Sequence, residues 1–319
     1  MKSIVFIIPY IGNWPIWFPA FLKSCESNPT IDWLFFTDCD ISIQSPKNVK
    51  FIKSSLAEIE QLANNTDLNV QLPNARKICD LRPAFGLVFK DYIKEYDFWG
   101  FCDVDIIWGD IRKFITNDLL DNYDLITSRV GDVSGHFTII KNSDKNALLF
   151  KYTNVYEQVF NDSKHLRFDE VGFTNIISEL KHNNLINVYW DKELLEKGIE
   201  SVAHQEYYLD RWLYSDGKIY DLFDKEHKEY MYLHFINWKR TMKHNEVRYE
   251  NATNQFYISY NKMHYDLHSS FLIQINKIKN FFNGYYVILY WKNNRAKYKR
   301  FIKGVKTKIN SKKNKCLES

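Results

Sequence analysis

The chain has 319 residues, of which 45% are hydrophobic, 26% charged and 17% aromatic. That composition buries a sizeable core, so a disordered or low-complexity chain is excluded. The net charge of +4 is unevenly spread: from Phe271 onward thirteen Lys and Arg face the single acid Glu318, giving a tail of about +12 and a body of about −8.

Ile4–Ile8 is a continuous apolar run rich in β-branched residues, which suits a central strand buried on both faces. The run stops at Pro9 and no small-residue cleavage site follows. It therefore reads as a strand and not a secretory leader, and a cytoplasmic location is expected. Trp17–Cys25 reads as a helix, Asp32–Asp38 as a strand entering a polar loop, and Val49–Lys53 as a strand with period-two alternation. Ser54 or Ser55 caps the helix carrying Leu56, Ile59 and Leu62, since Glu58 stands three residues after Ser55. Pro83 opens a helix with Ala84, Leu87, Val88, Asp91 and Tyr92 at helical spacing. Phe98–Cys102 is the next strand and delivers Asp103 to the sheet edge. Asp124–Thr127 and His136–Ile140 are further strands, Phe168–Leu180 a loop followed by a helix, and Met231–Ile236 a last strand. Strand alternating with helix predicts an α/β fold with a mixed, mainly parallel sheet flanked by helices. The composition shift near residues 265–275 divides a main domain, 1–265, from a basic, aromatic tail, 266–319. The five cysteines are odd in number and lack C-x-x-C spacing, which speaks against a disulfide framework or a zinc site and for a reducing compartment.

Chemistry concentrates at Asp103-Val104-Asp105. Two carboxylates one residue apart, leaving the carboxyl end of a strand, converge on a hard cation such as Mn²⁺ or Mg²⁺ that bridges them to a diphosphate. His234 is a candidate third metal ligand, and Lys239 is placed to neutralise diphosphate oxygens. In Ala75–Ala84, Lys77 and Arg82 are candidates for phosphate pairing and Asp80 for sugar hydroxyls, although a solvated helix start with surface ion pairs gives the same pattern. Asp169 and Glu170 are candidates for a general base on an acceptor hydroxyl, or else acids favouring the positive end of the next helix. His136, after the loop 131–135, is a candidate acceptor contact.

These features together resemble the GT-A-fold nucleotide-sugar glycosyltransferases, especially bacterial enzymes that build surface polysaccharides such as capsule or O-antigen. The resemblance spans roughly residues 3–240. It implies a metal-dependent hexosyltransferase with a UDP-sugar donor and a glycan or lipid-linked glycan acceptor. It also implies that Pro9, Tyr10 and Ile11, with Thr37 and Asp38 after the second strand, touch the donor. His234 with Lys239 looks like the metal-completing arrangement of the glycogenin-like branch, without the glycine that usually stands between those two.

The tail segment Phe281–Trp291 is aromatic, flanked by lysines and too short to span a bilayer. It predicts a peripheral contact with the inner face of the cytoplasmic membrane. Three other classes fit less well. A non-catalytic nucleotide- or glycan-binding module would not need Asp103, Asp105 and His234 together. A nucleotidyltransferase would show a Gly-rich phosphate loop after the first strand. A nucleic-acid binder is opposed by the acidic body.

Overall fold

The computed structural model describes residues 1–190, 212–222, 224, 228–235, 239, 242–251, 253–259, 261–282 and 294. The chain divides into two compact units, Met1–Asp266 and Leu267–Ser319.

The first unit begins with β1 (Ile4–Tyr10), α1 (Phe18–Glu26), β2 (Ile31–Thr37), β3 (Val49–Lys53) and α2 (Leu56–Asn64). Val5 and Ile7 join Ile59 of α2, Leu81, Phe85, Trp99 and Phe101 in one apolar cluster. Phe6, on the opposite face, stacks on Trp33 and Trp108. A strand covered on both sides has no polar face, which is why its sequence is continuously apolar. Ser55 is the residue that caps α2: its hydroxyl accepts from the Glu58 amide at 3.2 Å and its own amide donates to the Glu58 carboxylate at 2.7 Å. Such a box stabilises a helix start by about 1 kcal/mol.

From Ala75 to Ile93 the chain makes a succession of short helical turns, so the single helix that the spacing predicts from Pro83 to Tyr92 is divided. Pro83, which lacks an amide hydrogen, accounts for one interruption, and Phe89 leaves helical geometry (φ −105°, ψ 19°) at another. Gly86 lies so close to the Trp99 indole that a Cβ would approach it to 2.6 Å.

Next come β4 (Phe98–Cys102), β5 (Ile106–Trp108), β6 (Leu125–Thr127) and β7 (Phe137–Lys141). A π-helical turn, Phe168–Gly172, runs into α3 (Phe173–His182), and β8 (Val188–Tyr189) completes the main sheet. The strand order is β3-β2-β1-β4-β7-β6-β8; β7 runs antiparallel to both neighbours and the other pairings are parallel. The protein is therefore α/β with a mixed, largely parallel sheet, as the sequence predicts.

The remaining described strands are β9 (Trp212–Ser215), β10 (Lys218–Asp221), β11 (Glu229–Tyr230), β12 (Tyr232–His234), β13 (His244–Asn245), β14 (Gln255–Ile258) and β15 (Lys262–His264). All but β12 form a second sheet in the order β11-β10-β9-β14-β15-β13, whose short strands leave no clear pattern in the sequence. β12 instead pairs antiparallel with β5, setting His234 opposite Ile106. The predicted strand Met231–Ile236 is thus shorter, and Ile236 lies outside the described residues.

In the second unit the described residues form one helix, α4 (Ser270–Phe282). Of the predicted aromatic run Phe281–Trp291, all but Phe281 and Phe282 falls outside the described residues.

Candidate active site

β4 is buried along its whole length and ends at Asp103, whose amide donates to the His136 carbonyl of the neighbouring segment. The chain then turns through Val104, whose carbonyl accepts from the Trp17 indole at 2.9 Å, and enters β5. The β5–β12 pairing continues as a hydrogen bond from the Phe235 amide to the Asp105 carbonyl at 3.0 Å. This pairing brings His234 to the two aspartates across 129 residues of chain.

One ligand-type atom from each of Asp103, Asp105 and His234 lies within 4.8 Å of the other two. His234 Nε2 stands 3.7 Å from Asp103 Oδ2 and 3.6 Å from Asp105 Oδ2. Lys239, on the turn after β12, places Nζ 2.9 Å from Asp105 Oδ2. Burial alone would raise the Asp105 pKa, but the His234 ring and then the Lys239 ammonium outweigh it and hold the carboxyl well below its usual range. Two carboxylates, one buried, and an imidazole form an O,O,N donor set of the kind that holds a divalent metal ion.

Asp103 Oδ1 accepts from Arg82 Nη2 at 2.5 Å, leaving Oδ2 toward His234. Arg82 Nη1 donates to Asp169 Oδ2 at 3.0 Å and to the Gly135 carbonyl at 2.7 Å. One guanidinium therefore ties a metal-side carboxylate to the acid of the π-helical turn. The approach requires Gly135, since a Cβ there would lie 2.9 Å from Asp169 Oδ2. Burial pushes the Asp169 carboxyl up to about 6, against the lowering pull of Arg82. Glu170 differs: burial raises it, but Arg167 and Arg129 bring it below the ordinary value, with Arg167 Nη2 at 2.5 Å and Arg129 Nη1 at 3.2 Å. Arg167 itself is in the left-handed region (φ 59°), an uncommon conformation for a residue with a side chain, directly before the π-helical turn. Glu170, Arg129, Arg167, Asp132, Thr174 and Asn175 line a cleft of about 140 Å³.

At the donor end, Pro9 and Tyr10 close β1 and Ile11 begins the loop. The Tyr10 ring stacks on Trp14 at 5.3 Å, and its pKa is pushed to about 12, first by burial and then by the negative charge available to Cys39 and Asp105. The Gly12 amide donates to Asp38 Oδ1 at 2.7 Å, which joins the loops leaving β1 and β2. Asp38 is exposed there, whereas Thr37 is fully buried and its hydroxyl accepts from the Cys39 amide. Thr37 supports the loop from inside.

Three other expected contacts are placed differently. Lys77 and Asp80 are buried, their side chains each 1% exposed, and paired at 3.0 Å. Lys77 also donates to the carbonyls of Val159 and Lys164, while Asp80 accepts from the amides of Leu166 and Phe168. The pair is buried inside the chain, where it anchors the segment that carries Asp169, and all three Lys77 ammonium protons are used there. His136 is likewise buried: its ring stacks on His234 at 4.1 Å and hydrogen-bonds Ser134 and the Tyr232 hydroxyl. It backs His234 from the interior and is 2% exposed, away from the surface position expected of it. Asp80, His165 and Asp169 form a second group of potential ligand atoms. Lys77, two backbone amides and Arg82 already satisfy its carboxylates.

Residues 6–266 match a family model described as "Family of unknown function (DUF6625)". Among curated proteins none matches the chain. Similar solved structures include the galactosyltransferase LgtC in complex with donor and acceptor sugar analogs, 14% identical over 59% of this chain and 72% of that one, with a TM-score of 0.32. The apo-form glycosyltransferase GlyE of Streptococcus pneumoniae TIGR4 is 13% identical over 60% of this chain and 45% of that one, with a TM-score of 0.30. Apo mouse xyloside xylosyltransferase 1 is 12% identical over 59% of this chain and 84% of that one, with a TM-score of 0.32.

Proposed function

We propose that this chain, which belongs to the DUF6625 family, is a metal-dependent glycosyltransferase that moves a hexosyl group from a UDP-sugar to a glycan or lipid-linked glycan. The observation that carries the reading is the convergence of Asp103, Asp105 and His234 from two separate strands, with Lys239 beside them. Asp103, Asp105 and His234 would hold Mn²⁺ or Mg²⁺, which as a Lewis acid stabilises the negative charge of a departing diphosphate. Lys239 adds a cation on the same side. The loop Pro9-Tyr10-Ile11, with Asp38, supplies a surface for the nucleotide at the carboxyl ends of parallel strands.

In the transfer, an acceptor oxygen forms a bond to the anomeric carbon as the bond from that carbon to the diphosphate oxygen breaks. Asp169 accepts the proton of the acceptor hydroxyl, and the cleft lined by Arg129, Arg167 and Glu170 holds the acceptor. Asp169 is favoured over Glu170 because its raised pKa makes it the stronger base of the two, whereas Glu170 is engaged by two guanidinium groups. The motif resemblance supports a surface polysaccharide, capsule or lipopolysaccharide, as the product.

The test is binding and turnover of UDP-, GDP- and CMP-sugars with and without Mn²⁺. Release of UDP that needs the metal, with the sugar recovered on water or acceptor, is the expected result. Release of pyrophosphate would instead indicate a nucleotidyltransferase. Full activity in EDTA, or metal-dependent binding unchanged in Asp105→Asn, would overturn the assignment.

A further inference from the structure

Helix α4 runs for thirteen residues, about 20 Å, and none of the described helices is long and apolar enough to cross a membrane. Its apolar residues are nevertheless strongly presented. Phe271, Ile278 and Phe282 are 76%, 56% and 81% exposed, and Ile275 is partly exposed. The four stand at i, i+4, i+7 and i+11, so at 3.6 residues per turn they fall within an arc of about 60°. Two exposed phenylalanines and two isoleucines in one stripe are unusual for a surface that meets only water. Lys279, on the same helix, is exposed, and the sequence from Phe271 onward carries thirteen bases against one acid.

We propose that the stripe Phe271, Ile275, Ile278 and Phe282 is a membrane-contact surface, lying in the headgroup region of an anionic lipid leaflet. Charge complementarity selects the occupant. A second copy of this chain would bring another basic segment against the first, whereas an anionic leaflet neutralises the bases as the apolar stripe enters it. Neither component suffices alone: bases near the surface contribute roughly 1 kcal/mol each and are screened by salt, and a short apolar stripe holds weakly. The two together place the enzyme on an anionic lipid surface, where a lipid-linked acceptor would be presented. The inference does not depend on the transferase reading, because lipid binding is measured without turnover.

The experiment is flotation of the full-length chain with vesicles of phosphatidylglycerol and phosphatidylcholine, and with phosphatidylcholine alone. The wild type should float with the anionic vesicles at low salt, weaken as salt rises and remain unbound to the neutral ones. The triple variant Phe271→Ser, Ile278→Ser, Phe282→Ser should bind the anionic vesicles at least roughly tenfold more weakly. The triple leucine variant at the same positions should bind like the wild type, which separates apolarity from folding. Equal binding by the serine variant, or no flotation of the wild type with anionic vesicles, would overturn the proposal. So would a wild-type dimer in sedimentation that the serine variant dissolves while vesicle binding stays unchanged.

Discussion

Two charged clusters in this protein are built from similar residues and end in opposite states. In the Lys77–Asp80 pair each charged group is held inside the chain: the ammonium meets one carboxylate and two carbonyls, and the carboxylate meets two amides besides. Around Asp103, Asp105 and His234 the cluster opens to solvent, with the Asp103 side chain 24% and the Lys239 side chain 39% exposed. A closed cluster can only hold the fold together. An open one, with buried carboxylate charge and cations at its rim, can exchange internal contacts for those of a ligand. The Lys77–Asp80 pair fixes the segment 164–168, which delivers Asp169 to Arg82, and Arg82 reaches Asp103. The closed cluster thus positions part of the open one.

The sharpest way to break the comparison is at Asp105. Asp105→Asn keeps the shape but removes the charge that His234 and Lys239 face, and turnover of the UDP-sugar should fall by about three orders of magnitude, as should wild-type turnover in EDTA. Stability to urea should fall less than in Asp80→Ala, because the Lys239 ammonium that loses its partner is partly exposed and the asparagine keeps the shape. A variant retaining a tenth or more of wild-type activity would remove the metal from the mechanism.

Asp80→Ala should give the converse result. It strands the Lys77 ammonium in the interior and leaves the amides of Leu166 and Phe168 without their acceptor, so stability should drop by about 3–5 kcal/mol. Folded protein should still bind Mn²⁺ with the wild-type stoichiometry by calorimetry. Loss of donor binding without loss of stability would return Asp80 to the substrate side.

The contrast also explains what the sequence reveals and what it hides. β1, β2 and β4 are legible because strands buried on both faces must be continuously apolar, and Asp103 stands out as the first charge after such a run. The Ser55–Glu58 box is legible because it is local. Lys77, Asp80, Thr37 and His136 look like surface chemistry because a linear pattern does not show where a side chain's partners come from. For Lys77 they lie 82 and 87 residues away. The β5–β12 pairing is hidden for the same reason: two three-residue strands carry almost no periodicity, yet they set His234 beside the aspartates. The two- to four-residue strands of the second sheet are equally silent. Arg82 stands out in the sequence by its neighbourhood of charges, but its link between Asp103 and Asp169 emerges only from the fold.

A smaller effect is expected at Asp169, the point where the closed cluster hands over to the open one. Asp169→Asn should lower turnover about a hundredfold, with donor affinity nearly unchanged, because a base acts on the acceptor. The wild-type pH profile should carry the same signature. A carboxyl held near 6 is ionised above that pH and protonated below it, so kcat/KM should fall as pH drops through about 6 and lose roughly tenfold per further unit. An acid limb near 4, or normal turnover in the asparagine variant, would deny Asp169 the role.

The mildest perturbation is Glu170→Gln, which tests how open the acceptor side of the site is. Glu170 holds Arg129 and Arg167 at the cleft wall, and its carboxyl stays below the ordinary range because of those two cations. The amide is the same size but carries no charge, so both guanidinium groups lose this ionic partner while the Asp169–Arg82–Asp103 chain remains intact. The cleft should then bind acceptor less well. The acceptor KM should rise roughly three- to tenfold, in line with the loss of charge-assisted hydrogen bonds at a partly solvated site, and kcat should stay within about twofold. Donor hydrolysis without acceptor should be unaltered, since nothing on the metal side has moved. If kcat instead collapses while KM holds, Glu170 and not Asp169 meets the reacting hydroxyl, and the two arginines serve to orient a base.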